Sequence, residues 1–83
     1  MNPRVKAVHY DEPYKLIVTF SNDEIRIFDL ASYLQYPVYL PLQDTAFCKK
    51  AKVVLGTVVW NETIDFDPDT LYLESKPLLE KTV

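Results

Sequence analysis

The acidic residues Asp65, Asp67 and Asp69 alternate with other residues, and this spacing suggests a chemical site more than any other in the chain. Calcium-binding loops begin in this way because calcium takes carboxylate oxygens as ligands. Such loops also need glycine at the sixth position and glutamate at the twelfth, where this chain has Thr70 and Lys76. The sequence therefore favours a capping role for Asp67 at the start of a helix. A metal site and an acidic edge that contacts a partner are the alternatives.

Residues for catalysis are scarce, since the chain has one cysteine (Cys48), one histidine (His9) and one glycine. A predicted strand, turn, strand and helix separate the cysteine from the histidine. The chain contains no nucleophile elbow, zinc-protease motif, phosphate-binding loop or dinucleotide fingerprint. His9 is interpreted as a half-buried strand residue. The sequence therefore predicts no enzyme, and it indicates no catalytic residues, cofactor or metal.

Aromatic residues are the stronger signal for binding. Three tyrosines and two prolines lie close together, at Tyr33, Tyr36, Pro37, Tyr39 and Pro41. Proline restricts the backbone, and tyrosine offers a rigid amphipathic surface, so this stretch suits either the core of a small domain or a partner surface. Trp60 is interpreted as a core anchor, with an exposed hot spot as the alternative. The candidate partner-binding residues are Tyr33, Tyr36, Tyr39, Trp60, Asp65, Asp67, Asp69 and Tyr72.

The charge distribution favours a protein partner over direct contact with nucleic acid. The net charge is −3, and the part from Glu62 onward has six carboxylates and two lysines. The basic cluster Lys49, Lys50 and Lys52 has no aromatic residue to stack on a base. A nucleic-acid-binding protein usually presents a basic field, and the sequence indicates none.

Alternating apolar residues predict strands in the first third of the chain. A short strand is expected at Val5–Tyr10, with Val5, Ala7 and His9 on one face. The clearest pattern, in Tyr14–Phe28, predicts a β-hairpin whose turn contains asparagine and aspartate.

Helices are expected in the middle of the chain. Asp29 suits the N-cap of a short helix at Leu30–Leu34, and Asp44 suits the N-cap of one that ends near Ala51. The segment between them, Val38–Leu40, is predicted to be extended because prolines flank it.

The last third predicts two strands, Lys52–Leu55 and Thr57–Trp60, which meet at Gly56. A helix that starts at Pro68 follows. The interpretation is one α+β domain over residues 1–75: a small antiparallel sheet, built from an N-terminal hairpin and C-terminal strands, with two or three short helices on one face. A tail over residues 76–83 is expected to fray.

Two sets of residues carry a family resemblance. The first is Pro3-x-Val5-x-x-Val8, Tyr14-x-Leu16-x-Val18-x-Phe20 and Ile25-x-x-Phe28-Asp29-Leu30. The second, more specific set is Gly56-Thr57-Val58-Val59-Trp60 with Asp65-Phe66-Asp67-Pro68-Asp69-x-Leu71-Tyr72. Together they extend from Met1 to Tyr72 and resemble a bacterial family known only as domain of unknown function 2442.

The resemblance implies a modest set of properties. Family members are short stand-alone proteins or are fused to a helix-turn-helix DNA-binding domain, for which we expect no room in this chain. Many are encoded beside a second small protein, in an arrangement like that of a toxin–antitoxin pair, in which this chain would resemble the antitoxin. No catalytic residues are established for the family, so none can be transferred.

We therefore expect a protein–protein interaction module whose partner is the neighbouring-gene product or a second copy of the chain. A nucleic-acid-binding regulator is the alternative, and a metal-dependent enzyme is a weaker one. The charged start at Met1–Lys6 is unlike a signal peptide, no apolar run could span a membrane, and a lone cysteine permits no internal disulfide. We interpret the protein as cytoplasmic.

Overall fold

The first third of the chain forms a three-stranded antiparallel meander in the computed structural model, which describes residues 2–78. The strands are β1 (Val5–Asp11), β2 (Lys15–Phe20) and β3 (Ile25–Asp29). They pair in chain order. Alternate residues of β2 are fully buried, as the apolar pattern requires. In the β2–β3 turn Asp23 has φ 70°, a conformation that aspartate tolerates. The predicted hairpin is confirmed.

An irregularity in β1 reverses the predicted faces of that strand. The register of β1 against β2 shifts between Val5 and Ala7. A β-bulge of this kind turns the residues that follow it to the opposite face. Val8 and Tyr10 therefore pack against the core with Val5, whereas Ala7 and His9 are exposed. The predictions that Val5, Ala7 and His9 share a face and that His9 is half-buried are wrong for this reason.

The segment after β3 is built from 3-10 turns. The Asp29 carboxylate accepts a hydrogen bond from Ala31 N at 2.9 Å, as a cap would. The short helix predicted over Leu30–Leu34 is present as a single 3-10 turn, Ala31–Tyr33. It cannot extend far, because the residue before Pro37 disfavours helical backbone.

The structure contradicts the prediction for the proline-rich segment. Val38–Leu40, predicted to be extended, lies inside the 3-10 helix Pro37–Gln43. Backbone bonds of the i to i+3 type support it, from Tyr39 N to Tyr36 O at 2.9 Å and from Asp44 N to Pro41 O at 3.2 Å. The φ angle that proline imposes suits a 3-10 helix as well as an extended chain.

Helix α1 (Thr45–Cys48) follows, and the predicted cap at Asp44 is confirmed by a 3.0 Å bond from Ala46 N to its carboxylate. The helix is shorter than expected. It tightens to an i to i+3 bond, from Lys50 N to the carbonyl of Phe47 at 3.0 Å, and then ends.

A second antiparallel sheet contains β4 (Lys52–Val54), β5 (Thr57–Val59) and β6 (Asp65–Phe66). Its first turn uses left-handed backbone at Leu55 (φ 52°) and Gly56 (φ 80°), which suits a tight two-residue hairpin. Val5 N donates to the Gly56 carbonyl at 3.0 Å, so this turn connects the second sheet to the first.

Helix α2 (Pro68–Glu74) leads to the two-residue strand β7 (Lys76–Pro77), which pairs with β3 at the edge of the first sheet. Lys76 and Pro77 were expected to begin a frayed tail. The rest of that expectation falls on residues 79–83, which lie outside the described residues. The strands thus divide between two antiparallel sheets, and the α+β class is confirmed.

Both sheets and the short helices contribute to one hydrophobic core. None of the helices in residues 2–78 is long and apolar enough to span a membrane. The buried apolar residues are Val5, Leu16, Val18, Phe20, Phe28, Leu30, Leu42, Cys48, Val58, Trp60, Ile64, Phe66 and Leu71.

Candidate functional site

Phe66 lies at the centre of an aromatic cluster that positions two of the predicted tyrosines. The Tyr39 ring stacks on the Phe66 ring with centroids 4.8 Å apart, and the Tyr33 ring meets it edge-on at 5.1 Å. Phe28 and Trp60 contact the same ring at 5.2 and 5.9 Å. Aromatic pairs in such geometries attract each other beyond the effect of burial. Tyr33 and Tyr39 are therefore held in fixed orientations, each with part of its ring at the surface.

The 3-10 helix above this cluster exposes apolar side chains. A 3-10 helix has three residues per turn, so Tyr39 and Leu42 form its inward stripe. Val38 and Leu40 project outward from the helix and are 44% and 48% exposed, and Tyr36, the extended residue just before the helix, is 50% exposed. We call the whole feature the tyrosine surface, which consists of Tyr33, Tyr36, Val38, Tyr39 and Leu40.

Carboxylates border the tyrosine surface. Burial raises the pKa of Tyr39 above its ordinary value, and the nearby charges of Asp65 and Asp67 raise it further. Burial also raises the pKa of Tyr33, followed by the charge of Glu74. Asp65 and Asp67 flank Phe66, the residue whose ring stacks on that of Tyr39, so both belong to the segment that supports the tyrosine surface.

These bordering carboxylates differ from others in the molecule. Within residues 2–78 the ion pairs are Lys6–Asp23, Arg26–Glu24 and Lys49–Glu12. Asp65, Asp67 and Glu74 take part in none of them. The tyrosine surface is therefore bordered by negative charge that the described part of the chain does not neutralise with an ion pair.

Asp67 and Asp69 also have local roles at the start of α2. The Asp67 carboxylate accepts hydrogen bonds from Thr70 N at 3.1 Å and from Thr70 Oγ1 at 2.7 Å, which confirms the predicted cap. The bond from the Thr70 side chain is the main reason that the pKa of Asp67 is lowered. Asp69 accepts a bond from Asn2 Nδ2 at 3.3 Å. No three metal-ligating side chains in the described residues are close enough together to hold a metal ion.

Tyr72 lies in a separate network on the other side of α2. Its hydroxyl donates to Glu24 Oε1 at 2.6 Å, and the Arg26 guanidinium lies 4.7 Å above its ring. Arg26 also donates to Glu24 Oε2, Ser75 Oγ and the Ser75 carbonyl, at 2.9, 2.8 and 2.9 Å. This network fastens the end of α2 to β3. It joins residues 48 and 49 positions apart, so no local sequence pattern could reveal it.

Trp60 is buried, which agrees with the core interpretation. Its indole Nε1 donates to the Cys48 carbonyl at 2.9 Å. Burial raises the pKa of the Cys48 thiol to about 11. Neither side chain is available to a partner in this conformation.

Several basic residues already have partners within the described part of the chain. Lys6, Arg26 and Lys49 are the bases of the three ion pairs, and Arg4 donates to the Leu55 carbonyl. Lys49 also lines a shallow groove with His9, Tyr10, Asp11 and Glu12. The groove is polar and mixed in charge, so it does not provide a continuous positive field.

The structure thus brings together Tyr33, Tyr36, Tyr39, Asp65 and Asp67 from the predicted candidates. It places Trp60 in the buried part of the same aromatic cluster and Asp69 and Tyr72 elsewhere. Sequence reasoning missed three members of this region, Val38, Leu40 and Glu74. A 3-10 interpretation of the proline-rich segment would have indicated the first two, since three-residue periodicity turns them outward.

Comparisons with known proteins identify relatives. The family described as Protein of unknown function (DUF2442) matches residues 5–77, which is most of the chain. The fold is similar to the crystal structure of the Putative DNA Binding Protein NE0471 from Nitrosomonas europaea, with a TM-score of 0.79 and 28% sequence identity. The alignment covers 88% of this chain and 48% of that protein, so the chain spans about half its length. A comparison with curated proteins gives no match.

Proposed function

We propose that this chain, which belongs to the DUF2442 family of proteins of unknown function, is a protein–protein interaction module that binds through the tyrosine surface. The observation that carries the proposal is the exposure of Tyr36, Val38 and Leu40 within five residues of one short helix. Contiguous exposed apolar groups of this kind mark interaction sites. The region is also rich in tyrosine, a residue that is enriched at protein interfaces.

The backbone beneath this surface supports a binding role. Pro37 and Pro41 restrict the 3-10 helix, and the stacking of Tyr39 on Phe66 holds the helix against the core. A surface that is ordered before binding loses less conformational entropy when its partner arrives. The proposed surface therefore resembles a pre-formed binding site.

We propose that the partner is a small protein encoded beside this one, for which the chain acts as the antitoxin-like or accessory member of a cytoplasmic pair. The family resemblance supports this assignment. A second copy of the chain is the other protein partner to consider, and the same experiment distinguishes the two.

The test uses co-purification with the neighbouring-gene product and size-exclusion chromatography with light scattering. The variant Val38→Ser with Leu40→Ser should lose most of the complex while it keeps its fold by circular dichroism. The matched control, Val54→Ser with Leu55→Ser, removes two neighbouring apolar side chains that are 42% and 86% exposed at the β4–β5 hairpin. It should retain the complex. Equal binding by both variants, or a monomer that forms no complex, would contradict the proposal.

Direct DNA binding is the second candidate, and the name of the Nitrosomonas europaea relative favours it. The ion pairs that engage Lys6, Arg26 and Lys49 weigh against it, because DNA binding relies on lysine and arginine that neutralise several phosphates together. Fluorescence anisotropy with labelled duplex DNA at low salt tests it. Micromolar binding that Lys50→Ala with Lys52→Ala abolishes would support DNA binding, whereas salt-independent or undetectable binding would exclude this role for residues 2–78.

A further inference from the structure

We infer that the segment that docks on the tyrosine surface is basic, with arginine or lysine side chains that lie against the tyrosine rings and pair with the bordering carboxylates. The inference rests on the proposed function, because it names the chemistry of the partner at that same surface. It commits to one occupant, a cationic segment of another protein.

The rings provide the first part of the argument. The Tyr33 ring lies 6.4 Å from that of Tyr36 and 6.0 Å from that of Tyr39. A cation is attracted to the face of such a ring when it lies within about 6 Å of the ring centroid. Tyr36 is half-exposed, so its ring is accessible to a side chain from outside.

Charge provides the second part. Asp65 and Asp67 flank Phe66, on which the Tyr39 ring stacks, and the charge of Glu74 acts on Tyr33. All three carboxylates are exposed and are in no ion pair within the described residues. A basic segment would gain attraction from all three carboxylates, whereas nucleic acid or an acidic peptide would be repelled. Charge complementarity therefore selects the occupant that apolar exposure alone leaves undefined.

The chain already contains one example of the contact that we infer. Arg26 lies 4.7 Å above the Tyr72 ring, and its guanidinium pairs with the Glu24 carboxylate at 2.9 Å. One cation thus contacts a tyrosine ring and a carboxylate at the same time within this fold. The tyrosine surface presents rings and carboxylates in a similar combination, without an ion-paired cation from residues 2–78.

The test is a titration of the ¹⁵N-labelled chain, followed by amide chemical shifts, with a heptapeptide in which arginine alternates with glycine. The control peptide has citrulline in place of arginine, which preserves shape and removes charge. The arginine peptide should shift amides of residues 33–40 and 65–74, and the citrulline peptide should not. Equal shifts with both peptides, or shifts spread over unrelated acidic residues, would overturn the inference.

Variants extend the test to the chain itself. Asp65→Asn with Asp67→Asn should lower the affinity for the arginine peptide by about fivefold, because two exposed charge pairs of modest strength are lost. Asparagine is also a good N-cap, so α2 should remain intact. The control Asp11→Asn with Asp23→Asn makes the same change in net charge at the end of β1 and in the β2–β3 turn, and it should bind normally. Equal weakening by both double variants would overturn the inference.

The outcome separates this inference from the proposed function. If a protein partner is lost with Val38→Ser and Leu40→Ser but kept in full by Asp65→Asn with Asp67→Asn, the interaction function holds and the basic partner is excluded. If neither variant affects the partner, the tyrosine surface is not the binding site and both proposals fail.

Discussion

Replacing Phe66 by leucine should destabilise the protein substantially, although the side chain remains apolar. Phe66 is 3% exposed, and its ring contacts the rings of Phe28, Tyr33, Tyr39 and Trp60. Each such pair contributes about 0.5–1.5 kcal/mol beyond burial. Because all four pairs share one ring, we take the low end, or about 2 kcal/mol in total. The smaller leucine also leaves unfilled volume, which adds roughly 0.5 kcal/mol.

The free energy of unfolding of Phe66→Leu should therefore fall by about 2–3 kcal/mol, measured by urea denaturation with far-UV circular dichroism. For a domain of this size that corresponds to a loss of roughly 10–20 °C in Tm. Leu73→Ala is the control, since Leu73 is largely exposed and should change stability by less than about 0.5 kcal/mol. If Phe66→Leu behaves like this control, the aromatic cluster does not hold the tyrosine surface and the reasoning fails.

Three further predictions concern other parts of the fold. Gly56→Ala should lower the free energy of unfolding by about 1–2 kcal/mol in the same urea assay. The reason is that Gly56 has φ +80° and that an added Cβ would lie 2.5 Å from Arg4 Nε. An unchanged denaturation midpoint would contradict this prediction. Burial raises the pKa of the Cys48 thiol from 9.0 to about 11. At pH 8 the thiol should therefore react with a disulfide reagent about 100-fold more slowly in the native than in the unfolded protein. Equal rates would show that the thiol is exposed. The hydrogen bond from the Tyr72 hydroxyl lowers the pKa of Glu24 from its ordinary 4.5, so the stability this carboxylate contributes is present above that pH and is lost as the pH falls toward the lowered value. Tyr72→Phe should flatten this part of the pH–stability profile, and a profile identical to that of the unmodified chain would contradict the assignment.

The fold was predictable from the sequence wherever its cause is local. The hairpin over Tyr14–Phe28 follows from alternation between neighbouring residues, and the start of α2 follows from Asp67 and Pro68. Short-range hydrogen bonds decide these features, so they can be read from a few consecutive residues. The bulge in β1 could not be read in this way, because the register against β2 determines which side Val8 occupies.

The proline-rich segment shows the same limit within the candidate site. The φ angle of Pro37 permits both an extended chain and a 3-10 helix. In the 3-10 helix the Tyr39 ring stacks on Phe66, a residue much later in the chain. The sequence indicated that the tyrosines lie either in the core or on a binding surface. Contacts with distant residues hold Tyr33 and Tyr39 against the core with part of each ring exposed. For the same reason Glu74 could not be assigned to this region in advance.

The order in which the strands appear has a consequence for how the chain folds. Strands β1, β2 and β3 are consecutive and joined by short turns, so their loops close at little entropic cost. The pairing of β3 with β7 is different, since its partners Ile27 and Lys76 are 49 residues apart. Rapid folding favours contacts between residues that are near in sequence. We therefore expect the meander to form first, and even to pair during synthesis, whereas β7 can close the sheet only after Lys76 and Pro77 have left the ribosome.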